Sequence, residues 1–190
     1  MKHHNHRGSD VFWGEMAPCD HLLHIYEDDI ELLKGVERFV TDGFKSNESV
    51  VIIATSAHLE ALEKLLKPFD LSALRLAEQY ISLDAEEFLN KFMVNGWPDD
   101  ALFAQSILKV LKRARRNGRR ARAFGEMVAL LWAQGHNGAT VRLEHLWQEL
   151  CKKENFPLLC SYPKTGFTDE ASASVQKICL AHSRMVPSFV

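Results

Sequence analysis

Apolar positions along this chain switch repeatedly between strand-like runs and helical spacing. HLLHIYE, His21 to Glu27, reads as a strand, and Asp28 and Asp29 after it suit the first turn of a helix. Leu32, Leu33, Val36, Phe39 and Val40 then recur at helical intervals to about Phe44. SVVIIAT, Ser49 to Thr55, is an unbroken β-branched run, the pattern of a strand covered on both faces. Ser56 is placed to cap a helix reaching about Leu66, with Pro68 just beyond. A third strand spans Gln79 to Leu83 and runs into Asp84, which is placed to cap a helix through Phe88 and Leu89. Gly96 and Pro98 break that segment.

Phe103, Ile107, Val110, Leu111 and Ala114 mark a helix from Asp100 toward Asn117-Gly118. In ARAFGEMVALLWAQG the first half reads as a strand and the second as a helix. A helix from about Ala139 to Lys153 aligns Leu143, Leu146, Trp147 and Leu150; a strand covers Pro157 to Tyr162, and a last helix runs from Asp169 to His182. Five strand-to-helix alternations imply parallel strands joined by right-handed crossovers. The expected fold class is α/β, a three-layer sandwich with a mainly parallel central sheet. It forms one domain over 20–187, between a polar, His-rich arm (1–19) and a short tail (188–190).

Composition narrows the function classes. With 190 residues, 46% of them hydrophobic and 25% charged, the chain buries about 70% of its unfolded surface and needs no metal or disulfide staple. A balance of 23 basic to 25 acidic residues gives a net charge of −2, which argues against a general nucleic-acid binder. The run from Lys112 to Arg122 holds seven basic residues in eleven; without interleaved aromatics it reads as a solvated helix end. No apolar run reaches the roughly 18 residues of a membrane span, and the N-terminus lacks the apolar core of a secretory signal. Cys19, Cys151, Cys160 and Cys179 form no CxxC pair and read as buried thiols in a reducing cytoplasm. His3, His4 and His6 read as tail rather than metal site, and neither metal nor cofactor is expected.

In open parallel sheets, ligands bind beyond the carboxyl ends of strands. Period-two alternation puts His24 and Tyr26 on one face of the first strand and Leu23 and Ile25 on the other. Beside Glu27 and the acids that follow, His24 is suited to ligand binding, metal binding or base catalysis, or is a satisfied core histidine. A phosphate cradle here would read GxxxxGK[ST]; Glu27-Asp28-Asp29-Ile30-Glu31 places four acids in five residues instead, which repel a triphosphate. In RAFGEMVALLW, Glu126 stands at a strand end, either facing a ligand or capping a helix, and Met127, Leu130, Leu131 and Trp132 form an apolar wall. The ligand-binding candidates are therefore His24, Tyr26, Glu27, Glu126 and Trp132, and no residue is assigned a catalytic role.

HLLHIYED, FKSNESVVIIAT, YISLDAEEFL with FMVNGWPD, RAFGEMVALLWAQGHNGATVRLEHLWQEL and FPLLCSYP occur in the order seen in the MEDS domain, the methanogen/methylotroph sensory domain, which the chain resembles over about Asp20 to Pro187. The resemblance implies a RecA/KaiC-like sandwich without its nucleotide-binding loop, acting as a bacterial sensory input beside histidine kinases or DNA-binding domains. It further implies recognition of small hydrocarbon derivatives through the first-strand histidine, His24 by position, with Glu126 as the matching acid of FGEM. Asn47-Glu48 stands where the family usually has Gly-Glu, and Glu78 where it has glycine. The leading expectation is a non-catalytic module signalling through a partner protein or a homodimer. The alternatives are a ligand-free interaction module using helical faces such as Leu143 to Leu150, and a degenerate nucleotide enzyme with Glu126 and His24 as acid and base.

Overall fold

The computed structural model describes residues 16–168 and 171–186. Most of the expected arm, including His3, His4 and His6, and the 188–190 tail lie outside these residues. Where the arm meets the described chain it is ordered: Met16 packs on the core, and the Asp20 carboxylate closes a turn by accepting from Ala17 N at 2.8 Å.

The strands are β1 (His21–Tyr26), β2 (Ser49–Ala54), β3 (Tyr80–Asp84), β4 (Met93–Val94), β5 (Trp97–Pro98), β6 (Ala121–Gly125), β7 (Leu158–Pro163) and β8 (Arg184–Val186). The helices are α1 (Asp29–Lys45), α2 (Ser56–Leu65), α3 (Leu71–Leu76), α4 (Ala85–Leu89), α5 (Asp100–Ala114), α6 (Met127–Ala133), α7 (Asn137–Glu154) and α8 (Ser172–Ala181). Six strands form one sheet in the order β3-β2-β6-β7-β1-β8, and every pairing is parallel. The α/β sandwich read from the alternation is thus present. β4 and β5 form a separate hairpin whose turn residues Asn95 and Gly96 both take positive φ, as a tight two-residue turn requires.

One face of the sheet packs Leu22, Tyr26, Val50, Ile52 and Phe124 against α1, α2 and α3. The other packs Leu23, Val51, Ile53, Ala123, Cys160 and Tyr162 against α4 to α8. The sheet therefore sits between two helical layers, which explains its continuous apolar runs. Leu143, Leu146 and Leu150 of α7 are buried in this core, so the face expected for partner assembly is already used internally.

Aspartates cap four helices: Asp28 accepts from Glu31 N, Asp70 from Ala73 N, Asp84 from Glu87 N and Asp99 from Leu102 N. The cap of α2 is Thr55, one residue before the expected Ser56; Ser56 Oγ instead donates to Asp84 at 2.6 Å. The cysteines divide. Cys151 and Cys160 are buried, Cys179 is half-buried, and Cys19 is exposed rather than buried.

The basic run is largely tied into the fold. Arg113 and Arg116 meet Glu78, Arg115 meets Glu154, and Arg119 Nη1 donates to Ala77 O at 3.1 Å. Arg122 is buried, donates to Glu48 and to Phe39 O, and lies over the Phe39 ring at 5.1 Å. Gly43 admits this arrangement, because a Cβ there would lie 2.6 Å from Val50 Cγ2 and 3.0 Å from Arg122 Cδ. Gly43→Ala gains about 1 kcal/mol of helix propensity but overpacks a rigid crossing at a cost of about 1–3 kcal/mol. The expected result is a lower urea midpoint; a higher one would show that α1 is free to move off the sheet.

Candidate functional site

The carboxyl ends of β1, β2 and β6 meet in a network of polar side chains. After β1, Asp28 Oδ1 accepts from Glu31 N at 2.9 Å and Glu31 Oε2 accepts from Glu27 N at 2.8 Å. These amides leading into the helix are donors an anion would use, and the chain's own carboxylates occupy them. Glu126 follows β6. It occupies the capping position of α6 but makes no capping hydrogen bond; its Oε2 accepts from Thr55 N at 2.9 Å and its Oε1 accepts from His58 Nδ1 at 2.6 Å. His58 Nε2 lies 3.6 Å from Asp29 Oδ1. Glu126, His58 and Asp29 thus link the ends of three strands through the first turns of α1 and α2.

His24 is fully buried on the same face of the sheet. Its Nδ1 lies 3.4 Å from Ser161 Oγ, its Nε2 3.9 Å from Glu31 Oε1, and its ring 6.0 Å from that of Tyr26. Burial lowers its pKa to about 4, outweighing the attraction of Glu31. The hydrogen bond that His58 donates to Glu126 raises His58 above its ordinary value against the pull of burial. Burial, followed by the negative charges of Glu126 and Asp29, raises Tyr26. Leu32, Leu33, Val36, Ile52, His58 and Leu62 line a cleft between α1, α2 and the sheet, with a volume of about 10 Å³, room for one water-sized sphere.

The structure brings His24, Tyr26 and Glu126 to one end of one sheet face. Glu27 is exposed and paired with Lys164. Trp132 packs on the opposite face, where Nε1 donates to Gly166 O at 2.8 Å and the ring meets Tyr162 and Phe167. Of the expected apolar wall, Leu130 and Leu131 border an open groove with Leu89, Met93 and His136. His58 and Asp29 join the site without having been singled out. The strand-end rule applied to β2 leads to His58, three residues past Thr55. Among the described residues, a group with metal-ligand spacing lies under the other sheet face: His21, Glu144, Cys160 and His182.

The fold and its strand-end cluster define a three-layer α/β domain with a polar site at its sheet's carboxyl edge. The family described as MEDS, MEthanogen/methylotroph, DcmR Sensory domain, matches residues 20–182. The chain belongs to this family, a family of sensory domains. No curated protein matches it significantly.

The two histidines have opposite effects on acid stability. His24 has a folded pKa of about 4 against about 6.5 unfolded, so its contribution is lost as pH falls between those values, by at most about 3 kcal/mol. His58 is raised, so its stabilisation is complete below about pH 6.5 and is lost as pH rises through its folded value. Urea midpoints measured from pH 8 to 4 are expected to drop less on the acid side in His24→Gln and to lose their alkaline decline in His58→Gln. An acid-side drop that steepens in His24→Gln would mean that His24 is charged and paired with Glu31 in the folded state.

Proposed function

We propose that this MEDS domain is a non-catalytic bacterial sensor that binds a small apolar or one-carbon-derived molecule at the carboxyl ends of β1, β2 and β6. The observation that carries the reading is the convergence of Glu126, His58 and Asp29 beside the apolar cleft between α1 and α2. A few polar groups at the edge of an apolar wall are how small-molecule sites fix orientation. The cleft holds little more than a water, so a ligand enters only by parting α1 from α2 and pulling His58 off Glu126. A ligand that favours the parted state shifts the population toward it. His24 and Tyr26 form the polar floor of the opened site.

The scaffold is read as RecA/KaiC-like without its phosphate loop. The occupied amides of Glu27 and Glu31 and the carboxylates around them support the absence of nucleotide chemistry. The output passes to a partner protein, a histidine kinase or transcription regulator, or to a second copy, in the cytoplasm. A ligand-free assembly module is the second reading, favoured by the near-closed cleft.

Titration calorimetry of the full chain against one-carbon and halogenated hydrocarbon derivatives tests the reading. One compound is expected to release heat with wild type and to bind about tenfold more weakly to His58→Gln or His24→Gln, the worth of one hydrogen bond of about 1.4 kcal/mol. ATP and GTP should leave the melting temperature unchanged. No heat from any compound, together with a dimer in light scattering, would select the assembly reading; a nucleotide-induced rise in melting temperature would overturn both.

A further inference from the structure

Away from the strand-end site, four buried side chains from four parts of the chain converge under the other sheet face. His21 opens β1, Glu144 lies in the middle of α7, Cys160 is on β7 and His182 follows α8. His21, Glu144 and Cys160 are 2%, 0% and 0% exposed, and the His182 side chain 1%. One ligand atom from each falls within 4.8 Å of all the others. His21 Nε2 is 3.2 Å from Glu144 Oε2 and 3.4 Å from Cys160 Sγ, and His182 Nε2 is 3.5 Å from Glu144 Oε2. A tetrahedral zinc ion with bonds of about 2.0–2.3 Å has ligand-to-ligand edges of about 3.3–3.8 Å. Three of the six edges are close to that size already, and the others are no longer than 4.8 Å.

The outer partners orient the donors inward. His21 Nδ1 lies 3.0 Å from Ala181 O and His182 Nδ1 2.6 Å from Ile178 O. A carbonyl only accepts, so both Nδ1 atoms carry a proton, and in the neutral rings both Nε2 atoms present lone pairs to the interior. Metal-ligating histidines are held in the same way. Tyr162 Oη donates to Glu144 Oε1 and leaves Oε2 to face the histidines. Glu144 Oε2 and His182 Nε2 are buried and have no hydrogen-bond partner. Two imidazole lone pairs and a carboxylate oxygen therefore confront one another, with a single thiol proton available among them. Such a donor set, buried and short of protons, is satisfied by a cation at its centre.

We propose that His21, Glu144, Cys160 and His182 bind one divalent transition-metal ion of zinc type, in a closed structural site that clamps β1 and the end of α8 to α7 and β7. Two nitrogens, one sulfur and one carboxylate oxygen suit a borderline-soft tetrahedral ion rather than calcium or magnesium. On binding, the Cys160 S–H bond breaks, its proton leaves to solvent, and the sulfur's electron pair forms the bond to the metal. The dication is then balanced by one thiolate and one carboxylate, so the buried site is neutral. Four protein ligands leave no open position, which makes the site structural rather than catalytic. It is independent of the strand-end reading.

The test loads the full chain with Co²⁺ after chelator treatment. The expected result is one cobalt per chain with intense tetrahedral d–d bands and a thiolate-to-cobalt charge-transfer band, both displaced by Zn²⁺, and a melting temperature raised by several degrees on loading. Cys160→Ser should lose the charge-transfer band and His182→Gln the tetrahedral intensity, with far-UV circular dichroism checking their folds. X-ray absorption of zinc-loaded wild type gives a readout that needs no variant, and one sulfur among four first-shell atoms is expected. A nitrogen- and oxygen-only shell, as the His3, His4 and His6 tail would provide, would overturn the proposal. So would a chain that retains no cobalt.

Discussion

A parallel sheet covered on both faces gives its inner strands little access to water, so the charged and imidazole side chains buried on them depend on partners inside the protein. Arg122 on β6 does so through Glu48 and the carbonyl of Phe39. His24 on β1 turns toward Ser161 and Glu31, and Glu126 at the end of β6 receives Thr55 N and His58. His21 faces the opposite layer and meets Glu144. Each of these arrangements costs desolvation that an apolar residue would avoid. The chain keeps them where strands open onto the site and where β1 is joined to the helices below it.

The alternation of strands and helices was legible because each long element carries its own pattern. β8 was not, since three residues within SRMVP acquire strand geometry only by pairing with β1. The β4–β5 hairpin was read as a break for the same reason. At the site, His24, Tyr26 and Glu126 were legible from strand-end position, whereas His58 resides in a helical first turn and is defined by a partner 68 residues away. Trp132 was grouped with them because an apolar turn does not reveal which face of the sheet its helix covers. Glu144 left a readable trace: it sits on the α7 stripe with Thr140, Trp147 and Cys151, all of them buried.

Two positions where the resemblance implies glycine share one backbone conformation. Asn47 and Glu78 adopt φ of 54° and 53°. Asparagine enters this region with little penalty, and glutamate at a cost of about 1–2 kcal/mol. Glu78 recovers part of this by receiving Arg113 and Arg116, which are exposed enough that each pair returns no more than about 1 kcal/mol. The turn into β3 thus survives without glycine, and the same residue draws the basic run onto the surface of the fold.

β1 lies between β7 and β8. Among the described residues, the first strand in chain order therefore has the last two as its lateral neighbours. Until those segments emerge, an apolar ribbon with two unsatisfied edges must wait, and its closure spans most of the chain. Contacts so distant in sequence slow folding and extend exposure to aggregation. Truncation that removes β7 and β8 would therefore strand β1 rather than merely shorten the domain.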